Sequence, residues 1–332
     1  MLKLEHLVKE FPIRGSKAVV CAVNDVSFEV GPGETLGLVG ESGSGKTTVG
    51  LCLLRLTEPT SGAIRFRGTD LATLPKKSLR ALRPSIQMVF QEPFLSLNPR
   101  KSAGATIEEP LILQRKLSRT ERRDRLLEVL RQVRLKPEHL NMYPHQLTAG
   151  QQQCVGIARA MATKPDFVVL DEPTSSLDPS VRAEIIDLLR EIQLDTGVSY
   201  LFISHDLTTV QYISHRVAVM YLGRIVEIGT THEIFKRQLH PYTRALLSSV
   251  LVPDPTSKLH MIPLEGEIPS PINLPSGCYL ASRCPHVLPS CTQAIPELRT
   301  VDGSTSAAAC FRAEELLSTS DSEFVPDAGS SR

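Results

Sequence analysis

The sequence predicts an α/β fold: a parallel sheet built around a phosphate-binding loop, with an antiparallel β layer, an inserted helical subdomain and a small loop-rich C-terminal extension. Three observations predict it. The apolar run Thr35-Leu36-Gly37-Leu38-Val39 leads into Gly40-Glu41-Ser42-Gly43-Ser44-Gly45-Lys46-Thr47 and then into Thr48-Val49-Gly50-Leu51-Cys52-Leu53-Leu54, the order strand, glycine loop, helix. A second apolar run, Phe167-Val168-Val169-Leu170, ends in the acids Asp171 and Glu172. A third, Tyr200-Leu201-Phe202-Ile203, follows a helical stretch, which gives the alternation of a parallel core with its ligand edge at the C-terminal ends of the strands.

Each element follows in order. Residues 2–8 and 19–30 carry β-type patterns separated by Pro12, Gly15 and Ser16, and predict the antiparallel layer. In the glycine loop, the residues without side chains let backbone N–H groups turn inward around an anion, and the helix opening at Lys46 aims its positive end at the same point. Lys46 is placed to reach the β- and γ-phosphates and Thr47 to ligand Mg²⁺. Between residues 97 and 162 the pattern becomes helical, including TERRDRLLEVLRQVRL, where Leu126, Leu130 and Val133 share a face and the arginines predict a solvated one. After Pro179, the spacing of Val181, Ile185, Leu188, Leu189 and Ile192 predicts an amphipathic helix. Prolines multiply from about Val252, so residues 1–250 read as a nucleotide-binding domain, 251–317 as a smaller extension and 318–332 as a disordered tail.

The bulk numbers narrow the class. A chain of 332 residues with 41% apolar composition buries an ample core. Lys plus Arg number 37 against 36 Asp plus Glu, so no overall field draws nucleic acid or an anionic membrane. No apolar run approaches the roughly 18 residues needed to span a bilayer, and the start MLKLEHLVKEF lacks a secretory layout, so a soluble cytoplasmic chain is expected. Seven cysteines without a signal argue for thiols or metal ligands rather than a disulfide framework. Cys278, Cys284, Cys291 and Cys310 crowd together late in the chain with spacing C-x5-C-x6-C-x18-C, chemically sufficient for a [4Fe–4S] cluster or zinc yet matching no common run of either.

Two acids at a strand end complete the phosphate loop: Asp171 is placed to hold metal, and Glu172 to polarise an attacking water. With these motifs, residues 1–250 resemble the ATP-binding cassette (ABC) ATPases, P-loop hydrolases whose further motifs occur here in order. The resemblance implies that Gln91, in MVFQEP, contacts Mg²⁺, water and a membrane subunit, and that His205, in FISHD, contacts the γ-phosphate. It implies that Ser175, Ser176, Leu177 and Asp178 form the loop running between two protomers, and that Phe11 stacks on adenine. The family's signature Leu-Ser-Gly-Gly-Gln stands here as Leu147, Thr148, Ala149, Gly150 and Gln151, with Cys154 where arginine is usual. Ala149 adds a methyl that is harmless at negative φ and costly at positive φ. Since the signature of one subunit closes over ATP held by the other, two composite sites of unequal quality are expected in a complex with a different subunit.

Three strings resemble the oligopeptide and dipeptide import branch: Gln91-Glu92-Pro93 with Ser96-Leu97-Asn98-Pro99-Arg100, the His240-Pro241-Tyr242-Thr243 element, and GETLGLVGESGSGKTT followed by LRLTEPTSG, most like the second ATPase of two-ATPase systems. The resemblance implies ATP and Mg²⁺ as cofactors, a second ABC ATPase as partner, two permeases, an extracytoplasmic solute-binding protein and a seat on the cytoplasmic face of the membrane. It also likens the four late cysteines to those that hold a [4Fe–4S] cluster in relatives. Two rival readings remain open: a soluble ABC ATPase acting on nucleic acid or ribosomes, against which stand a single cassette and no long coiled-coil insertion, and a P-loop kinase, which needs no signature or switch histidine. The transported solute is left open.

Overall fold

The computed structural model describes residues 1–92, 96–114, 117–249, 262–302 and 304–320. The chain runs through β1 (Leu2–Pro12), β2 (Val19–Val30), β3 (Thr35–Val39), β4 (Ser61–Phe66), β5 (Thr69–Asp70), β6 (Ile86–Val89), β7 (Phe167–Asp171), β8 (Ser199–Ile203), β9 (Arg216–Tyr221), β10 (Arg224–Thr230), β11 (Arg299–Thr300) and β12 (Ala307–Ala308). One sheet has the order β2-β1-β4-β5 and is antiparallel, as the alternating N-terminal pattern predicts. The other has the order β11-β12-β10-β9-β3-β8-β7-β6, parallel from β6 through β9 and antiparallel beyond.

Every residue of β3, β7 and β8 is buried, as expected of parallel strands covered on both faces. Period-two alternation then sorts their side chains into two cores. Leu36, Leu38, Phe167, Val169, Leu201 and Ile203 face the core shared with the antiparallel sheet and the helix Lys46–Leu53. Val39, Val168, Leu170, Tyr200 and Phe202 face the core shared with the helices Ala149–Met161 and Pro179–Thr196. Each fully buried aromatic or aliphatic side chain contributes about 1.5–3 kcal/mol, so the central strands are the most firmly held part of the chain.

The helical insertion comprises Ala103–Gln114, Arg119–Gln132 and Ala149–Met161, with two short 3-10 turns between the second and third. Ser118 and Glu121 close a capping box at the start of the second helix, so it begins where the charged run begins. The expectation of a solvated arginine face fails at Arg125, which is buried and donates to the carbonyls of Ala162 at 2.9 Å and Met161 at 2.6 Å. It thereby satisfies the carbonyl end of the third helix.

Beyond residue 262 the chain consists mostly of turns, as the prolines predict, but β11 and β12 lengthen the main sheet at β10, and Tyr279 and Leu280 join the larger core. The helix Ala313–Ser320 reaches into the stretch expected to be disordered, and 321–332 lie outside the described residues. So does Pro93 of the Gln-Glu-Pro string. Among the described residues no helix is long and apolar enough to cross a membrane.

Candidate active site

The phosphate loop crosses from β3 to the helix Lys46–Leu53 at the C-terminal edge of the parallel sheet. Gly45 caps that helix at φ 101°, and a Cβ there would stand 2.1 Å from the carbonyl oxygen of Ala22. Only glycine fits, and the close approach ties the loop to the antiparallel sheet. Ser42 and Gly43 are exposed at the tip, Ser44 is buried, and Thr48 lies half-buried in the first turn of the helix.

Lys46 is buried beneath the loop, and its Nζ donates to the carbonyls of Gly40 at 2.8 Å and Glu41 at 2.9 Å and to Ser44 Oγ at 3.3 Å. Burial pulls its ammonium below the usual lysine range, opposed by Glu172, Asp171 and Glu41. An ammonium has three donors, so all three are engaged here. A bound phosphate would replace the longest bond, that to Ser44.

Asp171 and Glu172 stand at the end of β7, as predicted. Thr47 Oγ1 donates to Asp171 Oδ1 at 3.0 Å. Burial pushes the Asp171 carboxyl up to about 6, a cost that a divalent cation at this point would remove. A hydroxyl and a carboxylate side by side form the hard oxygen set that suits Mg²⁺. Glu172 accepts from Gln91 Nε2 at 2.9 Å and lies 3.2 Å from His205 Nδ1. The two residues predicted from the glutamine and switch motifs therefore meet on one carboxylate. Glu172 adopts φ 44°, a sparsely populated region for a residue with a side chain, while its N–H bonds to the carbonyl of Ile203 at 2.9 Å.

The signature lies at the head of the helix Ala149–Met161. Thr148 caps it: its Oγ1 accepts from the N–H of Gln151 at 3.2 Å, and Gln151 Oε1 accepts from the N–H of Thr148 at 3.0 Å. Threonine thus does here what serine would. Ala149 is the first helical residue and has no positive φ, so its methyl is harmless. Gly150 is different, because a Cβ there would stand 2.7 Å from Val181 Cγ1 of the helix Pro179–Thr196. That same helix starts from Asp178, after exposed Ser175 and Ser176 and buried Leu177. Leu147, the first signature residue, is buried. Phe11 is 39% exposed at the end of β1, with the Lys9 ammonium 4.7 Å from its ring centroid.

Sequence reasoning missed how the C-terminal segment meets this site. Tyr242 accepts at its hydroxyl from the N–H of Glu41 at 2.9 Å, and Arg283 lies 3.8 Å from the Glu41 carboxylate. The His240-Pro241-Tyr242 string was the only signal for the first contact, and nothing local marked the second.

Cys278, Cys284, Cys291 and Cys310 line one small cavity of about 20 Å³ together with His286. Backbone N–H groups reach their sulfurs: His286 to Cys284 at 3.4 Å, Leu288 to Cys291 at 3.5 Å and Arg312 to Cys310 at 3.4 Å. Burial pushes the Cys310 thiol up to about 12, and raises Cys278 and Cys284 as well. Among the described residues no group of three or more His, Cys, Asp or Glu is already arranged to hold a metal ion.

A parallel sheet carrying a phosphate loop, a hydroxyl–carboxylate pair and a clamped glutamate defines an ATP-hydrolysing cassette that works with Mg²⁺. Residues 23–175 match the ABC transporter family, and residues 226–291 match the oligopeptide/dipeptide transporter C-terminal region. The chain belongs to the ABC transporter ATPases. It is 48% identical over 318 residues to a probable peptide ABC transporter ATP-binding protein of Sinorhizobium fredii, covering 94% of this chain and 90% of that one. It is 46% identical over 307 residues to the oligopeptide transport ATP-binding protein AppF of Bacillus subtilis, covering 90% and 93%. Among solved structures it is similar to a dimeric ATP-binding cassette in a post-hydrolysis state bound to ADP and phosphate, with TM-score 0.64, 30% identity, and coverage of 70% of this chain and 99% of that chain.

Proposed function

We propose that this chain is the ATP-hydrolysing subunit of an importer of peptides or related small solutes, acting through separate permease subunits. The observation that carries the reading is the meeting of Gln91, Glu172 and His205 beside the Thr47–Asp171 pair at the mouth of the phosphate loop. The loop and Lys46 hold the triphosphate, while Phe11 offers its ring to adenine. Thr47, Gln91 and Asp171 are the residues that would hold Mg²⁺, which neutralises phosphate charge when bound. Glu172 orients the water in line with the γ-phosphate, and His205 steadies the phosphoryl oxygens in the transition state. In those roles both would give up part of the clamp that joins them.

A second cassette would then lay its own signature over this nucleotide, while Leu147 to Gln151 and the Ser175 to Asp178 loop of this chain face the partner's. The similarity to a dimeric cassette supports this pairing. We propose a different ATPase as that partner, with two permeases and an extracytoplasmic binding protein completing a system on the cytoplasmic face of the membrane. For the permease seat, a groove of about 710 Å³ runs from Leu54 and Met88 past Phe90 and Gln91 to Leu113, so one wall of it is the glutamine that holds Glu172. We retain residues 1–250 as cassette and 251–317 as importer-type extension. The test is uptake of a labelled oligopeptide mixture by membrane vesicles carrying the complete complex. ATP-dependent accumulation is expected, and it should vanish when the permeases are omitted. Turnover that responds to nucleic acid and not to permeases would contradict the reading.

We also propose that Cys278, Cys284, Cys291 and Cys310 hold an iron–sulfur cluster. Convergence on one cavity and N–H donors to sulfur support it, because such donors favour thiolate. Anaerobically purified protein is then expected to be brown, to absorb near ~400 nm and to contain iron. Colourless, iron-free protein would leave the four residues as buried thiols.

A further inference from the structure

Glu41 is the second residue of the phosphate loop, and its backbone is held on both sides of its Cα. Its carbonyl accepts from Lys46 Nζ at 2.9 Å, and its N–H donates to Tyr242 Oη at 2.9 Å. The bond to Tyr242 therefore helps to set where the Lys46 ammonium rests. Tyr242 itself is closely packed. It is fully buried, and its ring lies 4.6 Å from that of Tyr221 between centroids. Its N–H donates to His240 Nδ1 at 3.1 Å, so His240 caps the helix Pro241–Ser248. Buried Glu227 of β10 accepts from the N–H groups of Leu239 at 2.9 Å and His240 at 3.0 Å. Histidine, proline and tyrosine thus form a peg: a cap, a helix-starting ring and a hydroxyl aimed at the loop.

A second, charged route reaches the same residue. Arg283 Nη1 lies 3.8 Å from Glu41 Oε2 and donates to Tyr221 Oη at 3.3 Å. The Arg283 side chain is only 9% exposed, while the Glu41 side chain is 33% exposed, so the pair is screened from one side only. Arg283 sits in a turn closed by bonds from its own N–H to Leu280 O at 2.8 Å and from Ala281 N–H to Cys278 O at 3.0 Å. The next residue is Cys284. Movement of this turn would shift Arg283 against Glu41.

We propose that Tyr242 and Arg283 are positioning residues of the phosphate loop, which hold Glu41 so that Lys46 meets the triphosphate correctly and thereby link nucleotide affinity to the C-terminal extension. This rests on the reading that residues 40–47 bind ATP. Both residues act on Glu41 and not on the Gln91–Glu172–His205 cluster proposed to carry the chemistry, so their loss should weaken nucleotide binding and leave the chemical step largely intact.

The test is steady-state ATP turnover of the complete complex carrying Tyr242→Phe, Arg283→Met or Arg283→Lys in this chain, with thermal unfolding measured in parallel. Tyr242→Phe removes one oxygen from an isosteric ring, and losing one such hydrogen bond predicts a KM for ATP raised about 5–10-fold with kcat within about twofold. Arg283→Met should raise KM about 3-fold or more, and Arg283→Lys should restore most of the loss. Glu41→Gln combined with Arg283→Met should raise KM by less than the product of the single effects, since the two act through one pair. An unchanged KM, a fall confined to kcat, losses that follow the unfolding temperature without rescue by lysine, or full additivity of the pair would overturn the proposal. Lys46→Ala run alongside separates the two failures. If that change spares turnover, the reading of the loop is wrong; if it abolishes turnover while Tyr242→Phe and Arg283→Met do nothing, only the positioning role is lost.

Discussion

Glu172→Gln is expected to reduce ATP turnover of the assembled complex by roughly 10²–10³-fold while leaving Mg–ATP binding within a few-fold of the parent, because an amide cannot polarise the attacking water. The geometry makes the change a clean one. Gln91 Nε2 donates to one carboxylate oxygen at 2.9 Å and His205 Nδ1 stands 3.2 Å from the other, so a glutamine of the same shape can keep the bond to Gln91. Backbone φ at this residue is 44°, and the substitution leaves that conformation no more costly than before. The chemical function is removed with little else disturbed. Rapid-quench turnover and equilibrium binding of a fluorescent ATP analogue, measured on the same preparation, check both halves of the expectation. Preserved turnover would assign the catalytic carboxylate elsewhere.

If the two composite sites are unequal, the same change in the partner cassette should give a loss of different size. The structure removes one reason to expect that. Ala149 occupies the first turn of a helix without positive φ, and Thr148 supplies the capping hydroxyl. Gly150, the residue whose replacement would collide with Val181, is retained.

What was legible in the sequence was what is local. The phosphate loop, the acids after β7 and the central strands lie in continuous runs whose apolar pattern dictates both strand and burial. Gln91 and His205 were legible only through the resemblance, because no local pattern brings a histidine, and a glutamine 81 residues away in the chain, to one glutamate. Strands β9 and β10 escaped notice although both are almost wholly buried. The β10 run is broken by Glu227, which pairs with backbone N–H groups rather than water, whereas β9 carries an unbroken apolar run from Val217 to Leu222 with no motif at its end to draw notice. Arg125 was hidden for a similar reason: composition cannot reveal that two carbonyls at a helix end await a guanidinium. The Tyr242 contact bridges 201 residues and depends on a fully assembled sheet, so it could be seen only in three dimensions.

Lys46→Ala is expected to have the second large effect. The lysine is buried, its three donors point to Gly40, Glu41 and Ser44, and its charge interacts with Glu172 and Asp171. Alanine would leave two loop carbonyls without their donor and confront the phosphates with carboxylates alone. Removing one member of a buried, hydrogen-bonded charge pair costs about 2–5 kcal/mol, which is roughly thirtyfold or more in affinity. Calorimetric titration of Mg–ATP into the full-length chain and into Lys46→Ala, at one ionic strength, is the most direct test. Binding by the parent with at least a thirtyfold loss in the variant, both folded to the same unfolding temperature within a few degrees, is the predicted result. Equal affinity in the two proteins would contradict the account at its root.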